Sequence, residues 1–252
     1  MSTSPVVSDT WIRRFHPAAP SAPRIVCLPH AGGSASYWHP LSAALNDRFQ
    51  VLAVQYPGRQ DRRAEPPIDD IGTLADRITT ALQAWLGDDD SPVVLFGHSM
   101  GAVLGFEVAR RLRVPPAALI VSGRRAPDRY RDEHVHRLDD ASLLAEVRSL
   151  SGTESSLLED DEVVRMVLPA LRADYRAIET YKMAPGNPLE CPITALIGDT
   201  DPKVTVDEAT SWRDHTIGTF DLHTFTGGHF YLTRHAAAVA QRIATAARAA
   251  TS

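Results

Sequence analysis

The sequence has little cysteine, two residues in 252, and little lysine, only Lys182 and Lys203. Two cysteines with no CxxC pair exclude a disulfide framework. Cys27 and Cys191 lie in or beside apolar strand-like runs, where a free thiol acts as a small hydrophobe. No apolar run approaches the ~20 residues that span a bilayer, and the opening MSTSPVVSDT has neither a basic leader nor the apolar stretch of a secretory signal. The chain is therefore expected to be soluble and cytoplasmic, with no membrane partner. An excess of positive charge is also missing. With 26 basic and 31 acidic residues, the net charge of −5 argues against a general nucleic-acid binder, which neutralises phosphates with Lys and Arg.

What is present is an average globular composition, 44% apolar and 23% charged, which excludes a disordered, collagenous or coiled-coil chain. At this length one α/β domain with an insertion is expected, covering 1–252. Apolar or β-branched runs at 11–15, 24–28, 49–55, 92–96, 118–122, 193–197 and 220–225 alternate with helical patterns. Such alternation predicts a mostly parallel sheet with crossover helices. Over 69–86, Ile71, Leu74, Ile78, Leu82 and Trp85 form one apolar stripe. Further helices are predicted at 100–112, at 231–249, and from the Thr205/Glu208 capping box through Trp212. The stretch 124–191 breaks the alternation and reads as a helical insertion, with helices near 139–150 and 159–181 and a kink at Pro169.

Within VVLFGHSMGAVLGFEVA, Gly97-His98-Ser99-Met100-Gly101 falls between a strand and a helix, the setting that a G-x-S-x-G nucleophile elbow requires. Glycines on both sides leave room for the sharp turn, which presents the Ser99 hydroxyl at a helix N-terminus. A serine at neutral pH needs a base, expected after the last strand, with an acid between them in chain order. Gly227-Gly228-His229-Phe230 follows the last predicted strand, and Gly198-Asp199-Thr200-Asp201-Pro202 follows the one before it. Of ten histidines, only His229 has the right position. Asp201 is the preferred acid. Asp199 is an alternative that would otherwise cap backbone groups in the turn, and Asp128 is a second alternative after the strand that follows the nucleophile helix. The oxyanion hole is expected to combine the N–H of Met100 with one from the loop Leu28-Pro29-His30-Ala31-Gly32-Gly33, by position that of Ala31.

Taken in order, PHAGGSASYW, VQYPGRQDR, FGHSMGA, SGRRAP, GDTDP and GGHF resemble the type II, or editing, thioesterases of polyketide and nonribosomal peptide synthesis. The resemblance runs from about Arg24 to His229 and beyond. It implies an α/β-hydrolase fold, a mostly parallel sheet with helices on both faces and a helical lid. The implied activity is removal of acyl groups from the phosphopantetheine arm of an acyl or peptidyl carrier protein, by a monomer with no metal or other cofactor. The family triad maps onto Ser99, Asp201 and His229, and its oxyanion donors onto Ala31 and Met100. The insertion at 124–191 takes the place of the lid, with Leu143, Leu144, Val147, Met166 and Leu171 expected to line an acyl chamber. Arg59, Arg62, Arg63, Arg124, Arg125, Arg129 and Arg131 are expected to form a basic rim for an acidic carrier. Competing readings are an oxygen-ester hydrolase, an acyltransferase using the same triad, and a carrier-binding module without activity.

Overall fold

The computed structural model describes residues 8–89, 91–151 and 161–251. Seven strands form one sheet: β1 (Ile12–Arg13), β2 (Arg24–Leu28), β3 (Gln50–Val54), β4 (Val94–His98), β5 (Ala118–Ser122), β6 (Ile193–Gly198) and β7 (Phe220–Phe225). Their order is β1-β3-β2-β4-β5-β6-β7. Every pairing is parallel except the edge pair β1–β3. The expected strand at 11–15 shrinks to two antiparallel residues. The run expected at 92–96 begins two residues later, where Ile25 pairs with Val94.

Alternation along the strands decides what lies on each face. Val26 and Leu28 pack in one cluster with Trp11 of α1 (Ser8–Trp11), α3 (Ile71–Leu86) and α4 (Met100–Ala109), whereas Ile25 and Cys27 pack in another with Leu45 of α2 (His39–Leu45) and Ile243 of α9 (Ala236–Thr251). Helices thus cover both faces, as parallel strands buried on both sides require. Asp70 caps α3 by accepting a hydrogen bond from Thr73 N. Thr205 and Glu208 form the expected capping box at α7 (Val206–Thr210). The single C-terminal helix expected at 231–249 is broken at His235 into α8 (Tyr231–Arg234) and α9.

The insertion supplies α5 (Asp140–Ser151) and α6 (Asp161–Thr180), and α6 continues through Pro169. The start expected for α6 at Glu159 lies outside the described residues. Leu143 and Leu144 pack with Leu171 and Tyr175, so the two helices share a small core of their own. Among the described residues no helix is long and apolar enough to cross a membrane.

Candidate active site

Strand β4 ends at His98 and α4 begins at Met100, so Ser99 alone makes the turn, with φ 54° and ψ −118°. A positive φ is strained for a residue with a Cβ and persists only where the surroundings enforce it. The enforcement is visible in the flanking glycines. A Cβ on Gly97 would lie 1.9 Å from the Gly101 carbonyl oxygen, and one on Gly101 would lie 2.1 Å from that of Leu28. Ser99 N donates to Ser122 O at 2.7 Å, tying the turn to β5.

His229 follows β7, and its Nδ1 lies 2.9 and 3.0 Å from the two carboxylate oxygens of Asp201, in the turn after β6. Both side chains are almost wholly buried. Asp201 also accepts from Lys203 N at 2.8 Å, which orients its carboxylate. The two alternative acids are engaged elsewhere. Asp199 accepts from Gly227 N at 2.8 Å, and Asp128 lies 2.9 Å from His215 Nε2. Among the described hydrogen bonds none joins Ser99 Oγ to His229, but both line one cavity of about 790 Å³.

Ala31 lies on the wall of the same cavity. In its loop, Gly33 N donates to His30 O at 2.9 Å and Gly32 N to Asp174 Oδ2 at 2.7 Å. Among the described residues the N–H groups of Ala31 and Met100 have no protein acceptor. Asp174, on α6, also receives both ends of the Arg59 guanidinium at 2.7 and 2.9 Å, and Arg59 donates to Gly33 O at 3.1 Å. Burial alone would lower the Arg59 pKa, but Asp174 more than reverses this and holds it above the ordinary value. This pair couples the insertion to the Gly32-Gly33 loop, and sequence reasoning missed Asp174. The available signal was a carboxylate on the apolar stripe formed by Leu171, Tyr175 and Ile178.

Two more histidines pack beside His229. His98 lies 4.9 Å from it, ring centre to ring centre, and His30 lies 5.9 Å from His98. Burial, reinforced by the neighbouring imidazoles, lowers the His30 pKa to about 3 and that of His98 well below the usual value. Both are therefore neutral at pH 7, so neither places a positive charge against His229. His98 Nδ1 is 2.9 Å from Ser122 Oγ, which is 2.7 Å from Tyr231 OH. Gly123 makes room for these rings, since a Cβ there would lie 2.7 Å from His98 and 3.3 Å from His229.

The insertion lines the cavity with Val147, Met166 and Leu171, as expected of them, together with Leu150, Val163, Val167, Ala170 and Ile178. Leu143 and Leu144 do not line it, because they are consumed in the core between α5 and α6. Of the seven arginines expected to form a basic rim, only Arg63, on the cavity wall, and Arg129 are exposed, and Arg131 is half-buried. Arg59, Arg62, Arg124 and Arg125 are buried. Arg62 pairs with Glu65, Arg125 with Glu133 and Arg131 with Glu208. Runs of arginine suggest an exposed rim because spacing in the sequence does not show which of them turn inward, nor that Arg59 meets Asp174 115 positions away.

A family model described as a thioesterase domain matches residues 23–246. Thioesterase PikA5 of Streptomyces venezuelae is 53% identical over 231 residues, covering 90% of this chain and 82% of its own. The structure is similar to that of the type II thioesterase BorB from the borrelidin biosynthetic cluster, with TM-score 0.89, 55% identity, and 95% and 98% of the two chains covered. It is also similar to RedJ, the thioesterase of the prodiginine pathway in Streptomyces coelicolor, with TM-score 0.83, 38% identity, and coverage of 92% and 88%.

Proposed function

The chain belongs to the thioesterase family, and on that premise we propose that it hydrolyses acyl groups held as thioesters on the phosphopantetheine arm of an acyl or peptidyl carrier protein. This is the editing role of type II thioesterases in polyketide and nonribosomal peptide synthesis, and the relatives named as type II or biosynthetic thioesterases support it. We assign Ser99 as nucleophile, His229 as base and Asp201 as the acid that orients it. The observation carrying the assignment is the buried Asp201–His229 pair on the same cavity as Ser99, a serine held at φ 54° between β4 and α4.

In this reading His229 Nε2 takes the Ser99 proton as Oγ attacks the thioester carbonyl, and Asp201 stabilises the imidazolium through Nδ1. The carbonyl oxygen becomes an oxyanion, received by the N–H groups of Ala31 and Met100, which have no other acceptor among the described residues. Collapse expels the pantetheine thiolate, a good leaving group, and the His229 proton passes to it. Water, deprotonated by the same imidazole, then attacks the acyl-enzyme and regenerates the Ser99 hydroxyl. The segment 124–191 acts as the lid of a single domain, a reading supported by the apolar residues that α5 and α6 place on the cavity wall.

Time-resolved intact-mass spectrometry of a propionyl-loaded carrier protein tests the assignment. The acyl mass is expected to disappear with the wild-type protein and to persist with Ser99→Ala, whose rate should be at least ~10³-fold lower. Persistence of the acyl mass with wild type, while small oxygen esters are cleaved, would replace the carrier reading by an esterase one.

A further inference from the structure

The acyl cavity is not lined by apolar groups alone. Arg124 lies on its wall and is 91% buried, with 9% of its surface exposed. Its position is fixed from both sides. Gly123 packs against His98 and His229, and the Arg124 carbonyl accepts from Trp212 Nε1 at 2.9 Å. Among the described residues, however, the guanidinium makes no hydrogen bond and no ion pair.

The neighbouring charges show how unusual this is. Arg125 donates to Arg129 O, Lys203 O and Glu133. Lys203 pairs with Glu133 and Glu146. The two carboxylates that act on Arg124 are both engaged elsewhere: Glu133 by Arg125 and Lys203, and Glu179 by the amides of Val135 and His136 and by the His136 ring. Burial, with repulsion from Arg125, lowers the Arg124 pKa to about 10, so it remains a cation at neutral pH. A buried, unpaired charge is costly, and a planar guanidinium matches a carboxylate through two parallel hydrogen bonds.

We infer that Arg124 is an anion-recognition subsite inside the acyl chamber, through which the site accepts acyl groups that end in their own carboxylate. The inference deepens the thioesterase reading and rests on it. The phosphodiester of the pantetheine arm offers related chemistry, but Arg124 directly follows the glycine packed on His229. It lines the same cavity as Ser99 and His229, where the acyl group is held, whereas the phosphate is at the far end of the arm.

The test compares malonyl and succinyl thioesters with isovaleryl and 4-methylvaleryl thioesters, in which an isopropyl group replaces the carboxylate atom for atom. Each is presented on a carrier protein and on N-acetylcysteamine, which has no phosphate. The quantity read is the ratio of kcat/KM for carboxyacyl over alkyl substrate. Arg124→Gln is expected to lower that ratio about 10- to 100-fold in both settings, and Arg124→Lys to restore part of it by returning the charge without the fork. An unchanged ratio overturns the inference, including the case where activity falls equally for both acyl classes and the residue is merely structural. A loss confined to carrier-bound substrates, whatever the acyl group, also overturns it and assigns the guanidinium to the phosphodiester. If wild type leaves every loaded carrier intact, the carrier reading fails, while the N-acetylcysteamine ratio still decides the subsite.

Discussion

On the sheet side of the cavity, backbone meets backbone so closely that no atom can be added, whereas the insertion side joins the main core only through the end of α6, at Ala177 and Ile178, and its flanking loops, with side-chain ion pairs beside them. Every residue of α4 is buried. In α6 the first half faces outward or is half-buried, Met166 being 53% exposed, and burial begins only at Ala170. The insertion is then tied to the body by Asp174 to Arg59 and by Glu146 to Lys203. Reacting groups need placement to within a fraction of an ångström, and an acyl wall needs room to adapt. The two walls divide these demands between them, and each can be perturbed separately.

The largest effect is expected at the elbow. Gly101→Ala would drive a Cβ to 2.1 Å from the Leu28 carbonyl oxygen, with the Pro29 carbonyl oxygen 2.7 Å away, and this is backbone at the end of a central strand, which cannot swing aside as a side chain would. The cost should exceed about 5 kcal/mol, comparable to the whole stability of a domain. Urea unfolding reads this directly. A variant that folds with wild-type stability would show that the sheet wall is softer than the contacts imply, and the contrast with the insertion would fall.

A smaller loss is expected at the joint between the two walls. Asp174→Ala leaves the Arg59 guanidinium buried without its carboxylate and Gly32 N–H without its acceptor. Breaking a buried pair on one side costs about 3–5 kcal/mol, whereas replacing both partners by apolar groups recovers much of it. Arg59→Met/Asp174→Leu should therefore be more stable than Asp174→Ala. It should nevertheless retain a lowered kcat on a small thioester, because the Ala31 loop has lost its tie to α6. Full recovery of kcat in the double variant would separate loop position from the ion pair.

The two walls were not equally legible in the sequence. Strands β2 and β5 fall on the expected residues because parallel strands buried on both faces leave continuous apolar runs, and β7, at the sheet edge and without a buried residue, falls on its expected residues through the alternation of FDLHTF. The positions of Ser99, Asp201 and His229 followed from glycine turns at strand ends, a local signal. The expected start of β4 at Pro92 failed because apolarity alone does not show where pairing with β2 begins. Asp174, and the burial of Arg59 and Arg124, escape the sequence for a different reason. Charge on a helix or loop reads as solvated, and only the folded chain shows that Arg59 meets a carboxylate 115 positions away or that Arg124 meets none.

Acid separates the walls without mutation, and here the expected effect is smallest. Burial holds the folded pKa of His30, on the sheet side, at about 3, below the ordinary 6.5 of an imidazole, so below pH 6.5 the unfolded chain binds a proton that the folded one does not. Stability is therefore fully present above pH 6.5 and lost as pH falls toward 3, by about 1.5 kcal/mol from this residue at pH 5.5. His98 acts in the same direction. On the insertion side Glu133 is held at about 2, below its usual 4.5: burial would raise it, but Arg125 and Lys203 outweigh that. Its contribution is present above pH 4.5 and is lost only between 4.5 and 2. Urea midpoints measured from pH 8 to pH 5 should thus fall through His30 and His98, with His223, whose pKa burial also lowers, adding to the slope, and His30→Asn should reduce it. A slope unaffected by the substitution would mean that the imidazole stack beside His229 is open to water, and that the sheet wall lacks the dryness that keeps its neighbours neutral.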